Sequence, residues 1–491
     1  MRPSLPPRKI VRLPSGIPGF DEILDGGFIE GSLYLIEGRA GAGKTILSNQ
    51  IAFHHARAGA GVLYVTLIAE SHVKLLSHLT ELSFYDETLV AERVHYLSAY
   101  GQLKEGGLRG FFEAMAGAML THRPQLMFID GFRSASEFSA SPLELSQFIH
   151  ELSALVSSLR TTCFLLAPLS GNEQHPEHTL VDGLIELNNF SDGMRRTREI
   201  EVHKLRASNH MAGRHMFAIT SDGIRVYPRL ESIASRRIVE PGVFGETHAF
   251  GIPGLDRVLQ GGVARGSTTS LLGAPGSGKT LSGMSFLVEG LRRGESAVYL
   301  GFYESPDRLV AKMRSIGTDL QPFLDEGRLR ILWQPALEFT IDLLVQQFFD
   351  ALAELGAQRV FLDGVEGFKE SSIHPERMVL FFTALTNRLR CDGITTLCSE
   401  EIPLFASQPG MALKNVSAVF ENILWMRHAQ IDGSSRRLLS VLKMRDSDYD
   451  SMAQELHIDE EGLHVRPLAW PAAGFATVAP NATGMAQAPH L

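Results

Sequence analysis

Gly16-Ile17-Pro18-Gly19 opens a stretch that closes in Gly38-Arg39-Ala40-Gly41-Ala42-Gly43-Lys44-Thr45. The pattern returns as Gly251-Ile252-Pro253-Gly254, closing in Gly273-Ala274-Pro275-Gly276-Ser277-Gly278-Lys279-Thr280. Residue 16 maps onto 251 and residue 44 onto 279, a constant displacement of 235. A register shared over 30 residues, ending each time in a glycine-rich phosphate-binding signature, predicts two copies of one phosphate-binding domain in a single chain.

Outward from each loop the hydrophobic pattern keeps the same order. A short apolar strand (Leu33 to Glu37, Thr268 to Leu272) runs into the glycines, and a helix follows (Thr45 to Ala58, Thr280 to Arg293), closed by Gly59 and Gly294. Further strands are predicted at Val62 to Thr66, Leu126 to Asp130 and Cys163 to Ala167, with a helix over Leu143 to Arg160 among them. The second copy repeats them at Ala297 to Gly301, Arg359 to Asp363 and Ile394 to Cys398. Near-continuous apolar strands alternating with helices imply a parallel sheet covered on both faces. Each copy ends in alternating, hairpin-like strands (Glu199 to Lys204 with Phe217 to Tyr227; Leu438 to Lys443 with Leu456 to Pro467). The expected organisation is a first domain at 11–230, a linker at 231–246, a second domain at 247–468 and a disordered Ala/Pro/Gly-rich tail at 469–491.

Length alone, 491 residues, would predict about three domains; the repeat predicts two. A formal net charge of −9 offers no general attraction to nucleic acid or anionic lipid, so polyanion partners are disfavoured, although a local basic patch stays open. No apolar stretch approaches a membrane span, and Met1 to Pro7 lacks a hydrophobic signal region, so a soluble, cytoplasmic protein is expected. Cys163 and Cys398 lie in apolar runs and Cys391 just before the second. None has zinc-ligand spacing, which reads as reduced core thiols.

A glycine loop between strand and helix turns its backbone N–H groups toward phosphate oxygens, and the helix N-terminus favours negative charge there. The nucleotide-binding candidates are therefore Gly41-Ala42-Gly43-Lys44-Thr45 and Gly276-Ser277-Gly278-Lys279-Thr280. Lys44 and Lys279 should reach the β- and γ-phosphates, for binding and for catalysis, while Thr45 and Thr280 should place hydroxyls on magnesium. Asp130 and Asp363, ending neighbouring apolar strands, should complete the magnesium sites. Hydrolysis needs a carboxylate that positions the attacking water. Glu70 (Ala69-Glu70-Ser71) and Glu304 (Tyr303-Glu304-Ser305) are the candidates, each equally readable as a glutamate favoured by a helix N-terminus. Lys204-Leu205-Arg206 and Lys443-Met444-Arg445 form a third paired feature on predicted strands. Alternation puts Lys and Arg on one face, from which they could reach a γ-phosphate across a subunit boundary.

These residues together resemble the KaiC family. The likeness is carried by both glycine loops, the Gly-Ile-Pro-Gly openings, and Lys204-Leu205-Arg206 continuing as Ser208-Asn209-His210-Met211-Ala212-Gly213 toward Phe217 to Thr220, and it spans Val11 to Pro467. It implies an α/β fold of two tandem RecA-like P-loop NTPase domains, each a mostly parallel sheet covered by helices with a C-terminal antiparallel hairpin extension. It further implies ATP and magnesium as cofactors and a homo-oligomeric, hexameric double ring with ATP at subunit interfaces. The Lys204/Arg206 and Lys443/Arg445 pairs would then face the neighbouring protomer's ATP. Slow hydrolysis, and in clock members Ser/Thr autophosphorylation in the second domain, belong to the same implication.

Two departures qualify it. Clock members carry two adjacent glutamates after the second strand, where this chain has Ala69-Glu70 and Tyr303-Glu304. Their adjacent Ser-Thr acceptor pair falls on Ser417-Ala418, leaving Ser417 as the single candidate phosphoacceptor. Three function classes stay open: an oligomeric ATPase with autokinase activity, a nucleotide-gated scaffold for signalling partners, and a DNA-dependent motor. The motor is disfavoured by the acidic balance, because the one dense cationic run, Arg195-Arg196-Thr197-Arg198, precedes a hairpin strand. His54-His55 and His175 to His178 lack a third ligand and read as surface histidines. Phe111-Phe112, Phe348-Phe349 and Phe381-Phe382 read as core.

Overall fold

A computed structural model describes residues 10–67, 72–169, 176–192, 194–234, 245–335, 340–402, 419–445 and 448–468. By contacts the chain divides into two compact units. One comprises 1–241, 334–356 and 366–392; the other comprises 242–333, 357–365 and 393–491.

The sheet of the first unit has nine strands: β1 (Leu33–Gly38), β2 (Val62–Thr66), β3 (Val94–Ser98), β4 (Leu126–Asp130), β5 (Thr162–Pro168), β6 (Gly183–Asp192), β7 (Arg195–Leu205), β8 (Arg214–Thr220) and β9 (Gly223–Tyr227). Their order is β9-β8-β7-β6-β1-β5-β4-β2-β3. β1 to β6 are mutually parallel, and β7 to β9 extend the sheet antiparallel. Period-two alternation sorts β1 between two cores. Tyr34 and Ile36 pack with Leu47 and Ile51 of α1 (Lys44–Arg57), whereas Leu33 and Leu35 pack with Phe111 of α2 (Tyr100–His122) and Leu152 of α3 (Pro142–Leu159). Both faces are covered because β1 presents apolar side chains to each core from Leu33 to Ile36, with buried Glu37 near its end.

The sheet of the second unit repeats this plan. Its strands are β10 (Thr268–Gly273), β11 (Ala297–Gly301), β12 (Leu329–Trp333), β13 (Arg359–Asp363), β14 (Thr395–Glu401), β15 (Asn422–Ile431), β16 (Ser434–Lys443), β17 (Gln454–Asp459) and β18 (Gly462–Pro467). They lie in the order β12-β11-β13-β14-β10-β15-β16-β17-β18, the same topology read from the other edge. Leu271, Tyr299 and Phe361 pack on Met284, Leu287 and Leu291 of α4 (Lys279–Arg292). The chain is thus two tandem RecA-like α/β domains, each with a mostly parallel sheet.

Several expectations are corrected. Cys163 and Cys398 are buried, but Cys391 ends the helix Met378–Cys391 and is exposed. The cationic run 195–198 does not precede a strand; it begins β7. His54 is exposed, but its neighbour His55 is buried, with Nε2 2.7 Å from the Pro14 carbonyl, because each helix residue is turned about 100° from the last and His55 falls on the packed face. His178 is half-buried and pairs with buried Glu37 at 3.0 Å. Among the described residues no group of three or more His, Cys, Asp or Glu could hold a metal ion. Of the aromatic pairs, Phe111, Phe348, Phe381 and Phe382 are buried, while Phe112 and Phe349 are half-buried. Residues 231–234, read from sequence as linker, continue the short helix Leu230–Ala234. The tail at 469–491 lies outside the described residues.

His215 on β8 is fully buried, and its Nδ1 accepts the Arg229 backbone N–H at 3.0 Å. Burial, reinforced by the Arg229 charge, pushes its pKa down to about 4. The unfolded chain, with an ordinary histidine near 6.5, then binds more protons than the folded one between these values. Stability from this residue is present above about pH 6.5 and falls as pH drops toward 4, by at most about 1.4 kcal/mol per pH unit. Urea unfolding at pH 7, 6 and 5 should show this slope, reduced in His215→Gln; parallel curves for the two proteins would refute it.

Candidate functional site

Both glycine loops sit at the C-terminal ends of central parallel strands and lead directly into helices. The turn requires left-handed backbone at Gly43 (φ 107) and Gly278 (φ 102), each the N-cap residue of its helix. A Cβ at Gly43 would also lie 2.9 Å from the terminal methyl of Ile219, which could yield, so glycine is needed here chiefly for its backbone conformation. Lys44 Nζ donates to the carbonyls of Gly38 (2.6 Å) and Arg39 (3.2 Å). Lys279 Nζ donates to those of Gly273 (2.8 Å) and Ala274 (3.0 Å). Each ammonium is folded over its own loop, above N–H groups that can take phosphate oxygens. Burial lowers the Lys44 pKa, opposed by the Asp130 charge.

The strand-end aspartates Asp130 and Asp363 lie beside the loops of their own copies. Asp363 Oδ2 accepts from Thr280 Oγ1 at 2.9 Å, and the Thr45 hydroxyl is near enough to Asp130 to favour its charged form. Both carboxyls are pushed up, chiefly by burial. A hydroxyl and a carboxylate side by side at the foot of a phosphate loop are the hard oxygen donors that magnesium takes, so the residues present fit that ion. Two buried tyrosines were missed by sequence reasoning because they read as strand core. Tyr64 OH lies 3.2 Å from Asp130 Oδ2 and Tyr299 OH 3.0 Å from Asp363 Oδ2. Ser399 was missed likewise; its Oγ donates to Asp363 Oδ1 at 2.6 Å.

Glu304 stands one residue before Ser305, the N-cap of the helix Pro306–Arg314, and forms an ion pair with Lys312 of that helix. It is near enough to Asp363 and Tyr299 to act on both electrostatically. Tyr303, immediately before Glu304, is exposed and lies over Gly364, immediately after Asp363. Glu70 and Ser417 lie outside the described residues.

The Lys-Arg pairs are not brought to the loops of their own copies. Lys204 stands opposite Leu184, near the start of β6, whereas the loop leaves β1 beyond Gly38, level with Leu187. β6 runs parallel to β1, so the pair lies about 10 Å back along the strands from the loop, at about 3.3 Å per residue. Lys204 Nζ donates to the Thr179 carbonyl (2.9 Å) and Arg206 to Asp182 Oδ1 (3.1 Å). In the second copy Lys443 stands opposite Ile423 and donates to the Phe420 carbonyl at 2.7 Å, while Gly273 is level with Met426; Arg445 is exposed. Asp182 and its counterpart Glu421 also accept from the first N–H groups of the loop strands, Leu33 (3.0 Å) and Thr268 (2.8 Å).

Two phosphate loops, each with a lysine, a threonine and a strand-end aspartate converging at the mouth of a parallel sheet, define a tandem P-loop ATPase. The family model for the KaiC ATPase matches residues 13–231 and 249–469, and the chain belongs to that family. It is 28% identical over 473 residues to the circadian clock oscillator protein KaiC of Picosynechococcus sp., covering 92% of this chain and 88% of that one. It is 25% identical to the circadian clock oscillator protein KaiC 1 of Synechocystis sp. (95% and 91%) and 27% identical to the KaiC of Rippkaea orientalis (91% and 87%). Among the described residues no helix is long and apolar enough to cross a membrane.

Proposed function

We propose that this chain binds Mg-ATP in both copies and hydrolyses it slowly at the subunit interfaces of a homo-oligomeric, hexameric ring, working in the cytoplasm. The observation that carries the reading is the loop lysine folded onto its own glycine loop in both copies, with a Thr and a strand-end Asp beside it, hydrogen-bonded to each other in the second. Thr45 with Asp130, and Thr280 with Asp363, would hold magnesium, which would neutralise phosphate charge. Gly41 to Thr45 and Gly276 to Thr280 bind the phosphates, and Lys44 and Lys279 reach their outer oxygens. Lys204/Arg206 and Lys443/Arg445 serve a neighbour's nucleotide, a role supported by their distance from their own loops. Glu70 and Glu304 orient the attacking water, and Ser417 is the candidate acceptor of an autokinase activity. The two ATPase domains span 11–230 and 247–468, joined through 231–246.

A second reading, a nucleotide-gated scaffold that recruits signalling partners with little turnover, is favoured by one observation. Glu304 is already bonded to Lys312, and Tyr303 offers no carboxylate beside it. A water-orienting group must accept a hydrogen bond from the water, and Lys312 occupies one of the two Glu304 oxygens, leaving Oε2 alone for that role. The relatives' role as oscillators would lack a second acceptor here, since Ala418 follows Ser417. A DNA-dependent motor is the least supported reading.

One incubation with γ-labelled ATP separates these readings, following free phosphate and protein-bound label together. Phosphate release lost in Glu304→Gln and Glu70→Gln, with label lost in Ser417→Ala, is the expected result. Bound ATP with neither product would establish the scaffold. Salt-sensitive binding to single-stranded DNA would revive the motor.

A further inference from the structure

We propose that Tyr64 and Tyr299 are positioning residues for the two magnesium aspartates, holding Asp130 and Asp363 in the orientation that receives Mg-ATP; this rests on the ATP-binding reading above. The two tyrosines occupy equivalent places, residue 64 mapping onto 299 with the same displacement of 235 as the glycine loops. Both are buried on the sheet face that carries the phosphate-loop helix. A buried phenol needs a hydrogen-bond partner, and in each copy a carboxylate oxygen of the aspartate takes it, at 3.2 and 3.0 Å. Each aspartate ends the strand beside the tyrosine's own: β2 pairs with β4 and β11 with β13. The hydroxyl reaches across that ladder and limits carboxylate rotation.

The two copies complete this support with different second hydroxyls. In the first, Tyr64 OH lies 2.9 Å from Ser48 Oγ, one turn beyond Lys44 on α1, so Asp130 is tied through the tyrosine to the phosphate-loop helix. The residue displaced by 235 from Ser48 is Gly283, where a Cβ would collide with Phe361, so this link has no counterpart in the second copy. There Ser399 on β14 takes over, bonding the other oxygen of Asp363. The position in equivalent register to Ser399 in the first copy is Leu166, which has no hydroxyl. Asp130 therefore depends on its tyrosine more than Asp363 does.

Tyr→Phe removes the hydroxyl and keeps the ring packed on Phe128 or Phe361. The test measures equilibrium binding of a fluorescent ATP analogue to the full chain, titrated with magnesium and repeated in EDTA. Tyr64→Phe is read in a Lys279→Ala background and Tyr299→Phe in a Lys44→Ala background. Losing a hydrogen bond to a charged group should raise the half-saturating magnesium concentration about tenfold in Tyr64→Phe, with EDTA binding unchanged. A smaller shift, about threefold, is expected in Tyr299→Phe, growing when Ser399→Ala is added. Ser48→Ala should reproduce part of the Tyr64 effect. An unchanged magnesium midpoint in both tyrosine variants, or equal weakening with and without magnesium, would overturn the proposal by making the tyrosines packing residues only. Absence of binding in both single-lysine backgrounds and in the parent would overturn the ATP-binding reading itself, and the tyrosine roles with it.

Discussion

Lys44→Ala and Lys279→Ala are each expected to lower bound ATP from two per chain to one, leaving the other copy able to bind. In both copies the ammonium lies against carbonyls at the start of its own loop, 2.6 and 2.8 Å away at the shorter contacts. Incoming phosphate oxygens would meet a cation already held beside the loop amides rather than one drawn from solvent. Charge-assisted hydrogen bonds of this kind contribute about 3 kcal/mol, so the altered site should weaken by roughly a hundredfold. Isothermal titration of each variant against the parent gives the stoichiometry. Two sites of parental affinity in either variant would refute the two-site reading.

Arg359→Met should produce the largest loss of stability. Arg359 is fully buried in β13, with Nε and Nη2 on the Glu295 carboxylate (2.5 and 3.1 Å) and Nη1 on the carbonyls of Ala249 (2.7 Å) and Phe286 (2.9 Å). Its guanidinium also lies over the Phe286 ring, 4.6 Å from the centroid. Burial pushes the Glu295 carboxyl up, yet the hydrogen bonds and charge of Arg359 carry it below its ordinary value. Removing the arginine leaves a partly buried carboxylate and two carbonyls without their donors, which costs about 3–5 kcal/mol. Arg359→Met with Glu295→Met should recover part of this, because no uncompensated charge remains. Urea unfolding of the three proteins, resolving one transition per unit, measures the effect. A single-variant loss below about 1 kcal/mol would show that the cluster is not needed.

The repeat, the loops and the strand-end aspartates were legible because each is local. A glycine loop is contiguous in sequence, and a strand-end carboxylate is marked by the apolar run before it. The tyrosines and Ser399 were not legible, since a hydroxyl inside an apolar strand looks like core until the neighbouring strand shows which carboxylate it faces. Cys391 and His55 were misread for the same reason, as burial depends on which side of a helix meets the sheet.

By itself the sequence determined two copies of one phosphate-binding α/β domain, with Lys44 and Lys279 on the loops and Asp130 and Asp363 at neighbouring strand ends. The tertiary structure alone decided that Lys204 and Lys443 lie at the opposite strand ends from the loops of their own copies. It alone paired Glu304 with Lys312, and supported Asp130 through Tyr64 and Ser48 but Asp363 through Tyr299 and Ser399. The physical reason is that loop chemistry follows from residues adjacent in the chain, whereas reach and orientation follow from strand register, which joins residues far apart in sequence.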